Sequence, residues 1–209
     1  MEIIEAVKNY TGKPFEISNV NREDLPKFCV DMGYKVGVEI GVDRAYYLTR
    51  FLKVGLKMFG VDPWKYYGDY PHPRGQERLD FLYEHSQRQV AEYGNKCQLI
   101  RKTSVEAAQD FEDESIDFVY IDGHHGFRYV AEDLWEWTKK VRKGGMIAGH
   151  DFALTKHKEI HDPFVLHVPY VIRAWTECFG INNWYLIGAR KGKEGEKRDM
   201  FRSWFWIKK

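Results

Sequence analysis

The sequence lacks an excess of one charge and a regular pattern of cysteines. Its 32 basic residues balance 31 acidic ones, so the formal net charge is only +1 and creates no bulk attraction to nucleic acid. The three cysteines, Cys29, Cys97 and Cys178, show no C-x-x-C spacing, which argues against a disulfide framework and against a zinc site. We therefore expect a cytoplasmic protein that has no nucleic-acid partner.

Long apolar runs are also missing. No segment approaches the roughly 20 residues of a membrane-spanning helix, and the first residues show no signal-peptide pattern, so no membrane partner is expected. The 209 residues exceed an average domain but are too few for two, which favours a single domain over residues 1–209 with one site.

Short β-branched runs alternate with segments of helical spacing from Lys35 onward. This alternation is typical of a doubly wound, Rossmann-like α/β fold, in which helices cover both faces of a mostly parallel sheet. Two last strand-like runs flank a charged segment and predict a C-terminal antiparallel β-hairpin, for seven strands in all. The predicted strands are 36–42, 57–62, 97–102, 116–122, 146–151, 183–190 and 202–209, and the predicted helices include 76–93, 128–143 and 169–179.

Polar residues lie at the carboxyl ends of the first two strands, where an open α/β sheet binds its ligand. Glu39, Gly41 and Asp43 end the first strand, where a glycine lets the backbone approach a ligand closely. Asp62 ends the second, 21 positions after Gly41, where a carboxylate can accept both hydroxyls of a ribose. A tight turn and a solvated aspartate explain these residues as well. The pattern G-x-G-x-x-G is absent, which disfavours dinucleotides.

Two further strand ends carry the densest group of titratable residues. Asp122 ends the fourth strand and is followed by His124 and His125, while His150 and Asp151 end the fifth. Because neighbouring parallel strands end at the same edge of a sheet, two carboxylates and up to three imidazoles are expected to share one crevice. A single buried histidine is more often structural, but this combination favours a site.

Over residues 35–151 these motifs resemble those of class I S-adenosylmethionine-dependent methyltransferases, most closely the methyltransferase-24 group. V-E-I-G-V, G-V-D-P-W, I-D-G-H-H and G-G-M-I-A-G-H-D occur in that group's order. The resemblance implies S-adenosylmethionine as the cofactor. The cofactor-binding residues it implies are Glu39 and Gly41 near the methionine moiety with Asp43 beside them, Asp62 on the ribose, Trp64 and Ser104 at the adenine, and Asp122 at the reacting centre.

Antibiotic-tailoring and catechol-type O-methyltransferases of this kind hold a divalent metal on carboxylates that end the fourth and fifth strands. Asp122 and Asp151 match those positions, so the resemblance implies a Mg²⁺ site that water molecules would complete. Three residues depart from the pattern. Ala45 stands where relatives often carry glycine, Phe127 replaces the usual tyrosine, and His150 occupies a place that metal-dependent relatives fill with a carboxylate or amide, which leaves the metal open.

Methyl transfer to a hydroxyl requires an aligned acceptor, exclusion of water and removal of a proton. Imidazole suits the last task, so His125 is the predicted general base and His150 its substitute. A metal would favour O-methylation of a small hydroxylated acceptor, such as a sugar, phenol or natural product, whereas N-methylation stays open without one. We expect a helical cap at 1–34, a cofactor-binding core at 35–151, and a lid loop, helix and hairpin at 152–209, with the lid at 152–168.

Other classes of function remain compatible with these residues. A metal-dependent hydrolase would use the same Asp and His cluster, and a non-catalytic adenosine-binding module would need only Asp62. A nucleic-acid binder is disfavoured because the basic residues at 139–143 have acidic neighbours, which is typical of a solvated face. A homo-oligomer is expected if Trp204 and Trp206 are exposed, and core packing explains these two residues equally.

Overall fold

The computed structural model of the chain describes residues 2–66, 75–153, 167–188 and 197–209. Strands and helices alternate through most of this length. The strands are β1 (Phe15–Glu16), β2 (Val36–Ile40), β3 (Lys57–Val61), β4 (Cys97–Ile100), β5 (Ile116–Ile121), β6 (Val141–Phe152), β7 (Tyr185–Ile187) and β8 (Arg202–Ile207). The α-helices are α1 (Ile3–Asn9), α2 (Leu25–Asp31), α3 (Leu48–Lys53), α4 (Gln76–Val90), α5 (Ser104–Ala108), α6 (Phe127–Lys140) and α7 (His167–Cys178), with 3₁₀ turns at Arg22–Asp24 and Ala91–Lys96.

The eight described strands form one sheet in the order β1-β7-β8-β6-β5-β2-β3-β4. Every pairing is parallel except those that β8 makes with β6 and β7, so the predicted Rossmann-like sheet with a C-terminal antiparallel pair is confirmed. The strand count is eight instead of seven. The additional strand is β1, whose two residues pair with Tyr185 and Leu186 of β7 and are too few to show a periodic pattern in the sequence.

Two layers of buried side chains cover the two faces of the sheet. Along β5, Phe118 and Tyr120 face one layer, while Val119 and Ile121 face the other, as the alternation of side chains along a strand requires. The second layer includes the apolar stripe of α6, in which the residues Val130, Leu134 and Trp137 are all buried. The spacing of these three residues along the sequence places them on one face of the helix.

The structure corrects the end of one predicted helix, and two predicted segments lie mostly outside the described residues. The long predicted helix 128–143 ends at Lys140, because Val141 already pairs with Ile116 as the first residue of β6. The predicted lid at 152–168 lies almost entirely outside the described residues, at 154–166, and so does the charged segment of the predicted hairpin, of which only Lys197 is described. All three cysteines are free thiols. None of the described helices combines the length and apolarity that a membrane crossing requires.

The geometry of the sheet locates its crevice. From β2 the chain proceeds to β3 and β4 on one side, while β5 and β6 lie on the other side. Ile40, at the end of β2, pairs with Val61 of β3 and with Ile121 of β5, so all three strands end at one level. The order reverses between β2 and β5, and an open α/β sheet binds its ligands at such a reversal.

Candidate active site

A cavity of about 650 Å³ lies at this carboxyl edge of the sheet. Its lining comes from the ends of β2 and β3, the loops that follow β2, β3 and β5, the start of α5, and side chains of α4 and α6. His125 also lines it, whereas His150 and Asp151 are not among its lining residues. Its wall contains all seven residues predicted to bind a cofactor, namely Glu39, Gly41, Asp43, Asp62, Trp64, Ser104 and Asp122.

Gly41 holds the ends of β2 and β5 close together. Its φ of +86° lies in the left-handed region, and a Cβ atom there would stand 2.2 Å from the carbonyl oxygen of Asp122. Its N–H donates to the carbonyl of Val61 at 2.9 Å, and the N–H of Asp122 donates to the carbonyl of Ile40 at 2.8 Å. Only glycine satisfies both the backbone angle and the close approach.

Asp62 is fixed at the end of β3 by two backbone donors. Its Oδ2 accepts from the N–H of Asp43 at 3.0 Å and its Oδ1 from the N–H of Trp64 at 2.8 Å. Burial raises the pKa of Asp62, and these backbone hydrogen bonds oppose that rise. A carboxylate has about four acceptor positions, so Asp62 retains acceptor capacity for a ligand in the cavity.

Trp64 and Ser104 are two further lining residues of the cavity. Trp64 is 1% exposed, and its Nε1–H donates to the carbonyl of Asp43 at 3.0 Å. The hydroxyl of Ser104 accepts from Nε1–H of Trp137 at 2.8 Å. Both side chains are therefore held rigidly by neighbouring elements, but the adenine contact predicted for them stays a prediction.

Asp133 is a lining residue that the sequence reasoning missed. It lies on α6 and is 5% exposed. Burial raises its pKa to about 7, and a hydrogen bond with Ser104 opposes that rise. The available signal was its position beside the apolar stripe of α6, because an acid on the buried side of a helix needs a partner or a ligand.

Glu39 has an oxygen without a hydrogen-bond partner in the described part of the chain. The side chain is 2% exposed and the unpaired atom is Oε2. Burial raises the pKa of Glu39 well above its usual value, the charge of Asp122 adds to that rise, and the charge of Arg22 opposes it. Buried polar atoms are nearly always hydrogen-bonded, so this oxygen is available to accept from a group in the cavity.

The titratable cluster predicted from the ends of the fourth and fifth strands does come together. His125 Nε2 lies 2.7 Å from Asp151 Oδ2, and His150 Nδ1 lies 3.2 Å from Asp151 Oδ1. Asp122 is next to them, with Oδ1 3.8 Å from His150 Nδ1. His124 instead accepts a hydrogen bond from the N–H of Gly126 at 2.9 Å.

Burial and mutual charge shift the acids of this cluster in opposite directions. Burial raises the pKa of Asp122 to about 6, with the charge of Asp151 adding to the rise and that of His150 opposing it. Asp151 is also buried, but the charges and hydrogen bonds of His150 and His125 hold its pKa well below the usual value. Asp151 therefore stays ionised between its two imidazole neighbours.

Three of these residues could hold a metal ion together. One ligand atom from each of Asp122, His125 and Asp151 lies within 4.8 Å of the other two, close enough for one divalent cation to touch all three. The candidate ligand set therefore contains the imidazole of His125 in addition to the two predicted carboxylates. An imidazole ligand suits transition metals such as Mn²⁺, Fe²⁺ or Zn²⁺ better than Mg²⁺, which prefers oxygen.

Arg22 approaches Asp122 from the N-terminal segment, which sequence reasoning did not connect with the site, and it is not among the residues that line the cavity. Its Nη1 lies 3.8 Å from Asp122 Oδ2, and its guanidinium lies 5.2 Å from the ring centre of Tyr47. One hundred positions separate Arg22 from Asp122, and no local pattern marks such a contact.

Comparisons with known proteins match the part of the chain that forms this site. Residues 35–152 match the family model described as a methyltransferase domain. A Sinorhizobium fredii protein, uncharacterized protein y4gI, is 32% identical over 100 residues, which are 47% of this chain but only 10% of that protein. The chain therefore spans about a tenth of the curated relative it matches.

Two solved structures are similar to this chain in fold. The O-methyltransferase TomG from Streptomyces achromogenes, involved in tomaymycin synthesis and solved in complex with SAM, has a TM-score of 0.60 at 12% identity, covering 90% of this chain and 79% of TomG. An O-methyltransferase from Bacillus cereus in complex with SAH has a TM-score of 0.58 at 14% identity, covering 90% of this chain and 80% of the other. At these identities the likeness shows the fold alone.

Proposed function

This chain belongs to the methyltransferase domain family, so its residues 35–152 form a domain of the S-adenosylmethionine-dependent methyltransferase class, and we propose that the protein methylates an oxygen of a small hydroxylated acceptor. A sugar, phenol or natural product is the expected class. The observation that carries the proposal is the single cavity that holds all seven residues of the predicted cofactor set. The SAM and SAH complexes of the two structural neighbours support it.

Within this proposal the cavity binds the cofactor along the strand ends. Asp62 accepts the ribose hydroxyls with the acceptor capacity that its backbone contacts leave. The unpaired oxygen of Glu39 accepts from the α-ammonium group, while Trp64 and Ser104 border the adenine. Asp122 then lies beside the sulfonium, at the point where an acceptor must approach in line.

His125 is the better placed of the two candidate bases. It lines the cavity, which His150 does not, and its Nε2 contacts the ionised carboxylate of Asp151 at 2.7 Å. A proton taken from the acceptor hydroxyl would be stabilised on the imidazole by that carboxylate, as in other acid–base pairs. His150 becomes the substitute when His125 serves as a metal ligand.

A divalent cation fits the donor set of Asp122, His125 and Asp151. When bound, it would lower the pKa of a coordinated acceptor hydroxyl and hold that oxygen in line. The two carboxylates would supply the charge, and the imidazole would favour Mn²⁺ over Mg²⁺. We propose a metal here on the basis of this donor set.

The deciding experiment is isothermal titration of the purified protein with S-adenosylhomocysteine. Wild type is expected to bind, and Asp62→Ala is expected to weaken binding by at least about tenfold, because a charged group that loses its hydrogen bonds costs about 1.5–3 kcal/mol. Asp110→Ala is the matched control, since Asp110 is paired with Lys102 outside the cavity. Parallel titrations with Mn²⁺ and Mg²⁺ test the metal and its preference.

A metal-dependent hydrolase is the second candidate, and the Asp122, His125 and Asp151 group favours it. The same titrations separate the two functions. Mn²⁺ binding without any heat from S-adenosylhomocysteine would replace the methyltransferase proposal with the hydrolase. A non-catalytic adenosine-binding module would also bind S-adenosylhomocysteine, but it would show no methyl transfer that depends on His125.

A further inference from the structure

Arg22 is held in place by its backbone. It begins the 3₁₀ turn Arg22–Asp24, whose preceding residue Asn21 forms a capping box with Asp24. The N–H of Arg22 donates to Asp199 Oδ2 at 3.1 Å, and its carbonyl accepts from the hydroxyl of Tyr47 at 2.7 Å. These contacts tie the N-terminal segment to Tyr47, directly before α3, and to the segment before β8, so the start of the arginine side chain is fixed.

The guanidinium group itself makes no hydrogen bond to any other described residue. Among the described residues its closest acid is Asp122 at 3.8 Å, beyond hydrogen-bond reach. In the described part of the chain, Arg22 is the only Lys or Arg with a nitrogen within 4 Å of Asp122. The side chain is 34% exposed, so five planar donors stand half-buried beside the proposed reacting centre.

We propose that Arg22 forms a carboxylate-binding subsite above Asp122. A guanidinium matches a carboxylate through two parallel N–H···O bonds, a geometry that a lysine does not offer. The Arg22 guanidinium lies 5.2 Å from the ring centre of Tyr47, a contact that uses none of its N–H donors in a hydrogen bond. The inference rests on the proposed function, because it assigns a ligand group within the same site.

Two ligand groups could supply this carboxylate, the α-carboxylate of the methionine moiety or a carboxylate of the acceptor. The first is favoured by Glu39, a lining residue of the cavity with an unpaired oxygen, whose pKa is lowered by the charge of the nearby Arg22. An amino-acid moiety carries one positive and one negative group. Glu39 and Arg22 would therefore take one group each.

The test compares wild type with Arg22→Gln, Arg22→Lys and the control Arg50→Gln. Arg50 lies on α3 and pairs with the exposed Glu23 at 3.1 Å, so its loss removes an equal charge nearby but outside the site. The first probe is S-adenosylhomocysteine, and the second is its analogue without the α-carboxylate. The third probe is benzoate, added to the S-adenosylhomocysteine complex and measured as a shift in melting temperature. Circular dichroism identifies which variants fold.

If the carboxylate belongs to the cofactor, Arg22→Gln should weaken S-adenosylhomocysteine binding about ten- to a hundredfold. Binding of the analogue without the α-carboxylate should stay the same. Arg22→Lys should recover part of the loss, and Arg50→Gln should behave as wild type. If the carboxylate belongs to the acceptor, Arg22→Gln should leave S-adenosylhomocysteine binding unchanged and abolish the shift in melting temperature that benzoate causes.

Folded Arg22→Gln and Arg22→Lys that bind all three probes as wild type does would overturn the inference and leave the proposed function standing. If Arg22→Gln does not fold, the probes are compared with Arg22→Lys alone, and wild-type behaviour of that variant overturns the bidentate contact. Failure of wild type to bind S-adenosylhomocysteine is a different result, which defeats the proposed function together with this inference.

Discussion

Asp133 and Glu39 are buried acids in the cavity wall, whereas a protein core is normally apolar. Both are acids with 5% or less exposure, and neither has a basic residue within ion-pair distance among the described residues. Burying a carboxyl group in this way costs free energy unless it stays protonated or meets a ligand. Natural proteins tolerate such a cost mainly at functional sites.

Asp133 gives a stability prediction with a definite sign. Its folded pKa of about 7 exceeds its ordinary value of 3.8 because of burial, so the unfolded chain releases this proton first as pH rises. Through Asp133 the free energy of unfolding should therefore fall by about 1.4 kcal/mol per pH unit between about pH 4 and 7. Asp133→Asn should remove that slope, measured as the free energy of unfolding in urea from pH 4 to 8.

The exposed Asp110→Asn is the control for this series. It should follow the pH dependence of wild type. If Asp133→Asn ran parallel to wild type across the whole range, the folded carboxyl would not be holding its proton as its burial implies.

At the scale of elements, α5 places Ser104 in the cavity by means of its first turn. Thr103 precedes the helix, its Oγ1 accepts from the N–H of Glu106 at 3.3 Å, and Glu106 Oε2 accepts from the N–H of Thr103 at 3.0 Å. Together these two contacts form a capping box. Since α5 has only five residues, its cap contributes a large share of its stability.

Thr103→Ala should therefore lower the free energy of unfolding by about 1 kcal/mol. Ser115→Ala is the comparison, because Ser115 is exposed and its hydroxyl donates only to the carbonyl of Glu112. Urea denaturation measures both variants. Equal loss in the two would mean that the cap adds nothing beyond an ordinary surface hydrogen bond.

At the scale of the whole molecule, the packing of two tryptophans corrects an expectation about self-association. Trp204 and Trp206 were considered for a self-interface, but they are 1% and 2% exposed and stack on each other with ring centres 5.4 Å apart. Trp204 also donates from Nε1 to the carbonyl of His150 at 3.0 Å. Both rings belong to the core layer beneath α6 and α7, where β8 joins the parallel part of the sheet.

Trp206→Ala should consequently cost stability and leave association unchanged. Removing a buried tryptophan ring costs about 3–5 kcal/mol, which urea denaturation measures. Sedimentation velocity of the folded variant should match wild type. A change in sedimentation at unchanged stability would place Trp206 in an interface and contradict its role in the core.

The sequence by itself determined the order of strands and helices and the edge of the sheet that carries the site. Alternation, helical spacing and glycines at strand ends are local properties, and parallel strands bring their carboxyl ends to one edge. Gly41, Asp62, Asp122 and Asp151 could therefore be expected near one another.

Only the tertiary structure decided what those residues meet. Arg22, Asp133 and β1 join the sheet or the site through contacts between segments far apart in the chain, and no local period encodes such contacts. The burial of the tryptophans of β8 likewise depends on which helices cover its face. Packing of distant segments, and not the pattern within any one of them, brought these residues together.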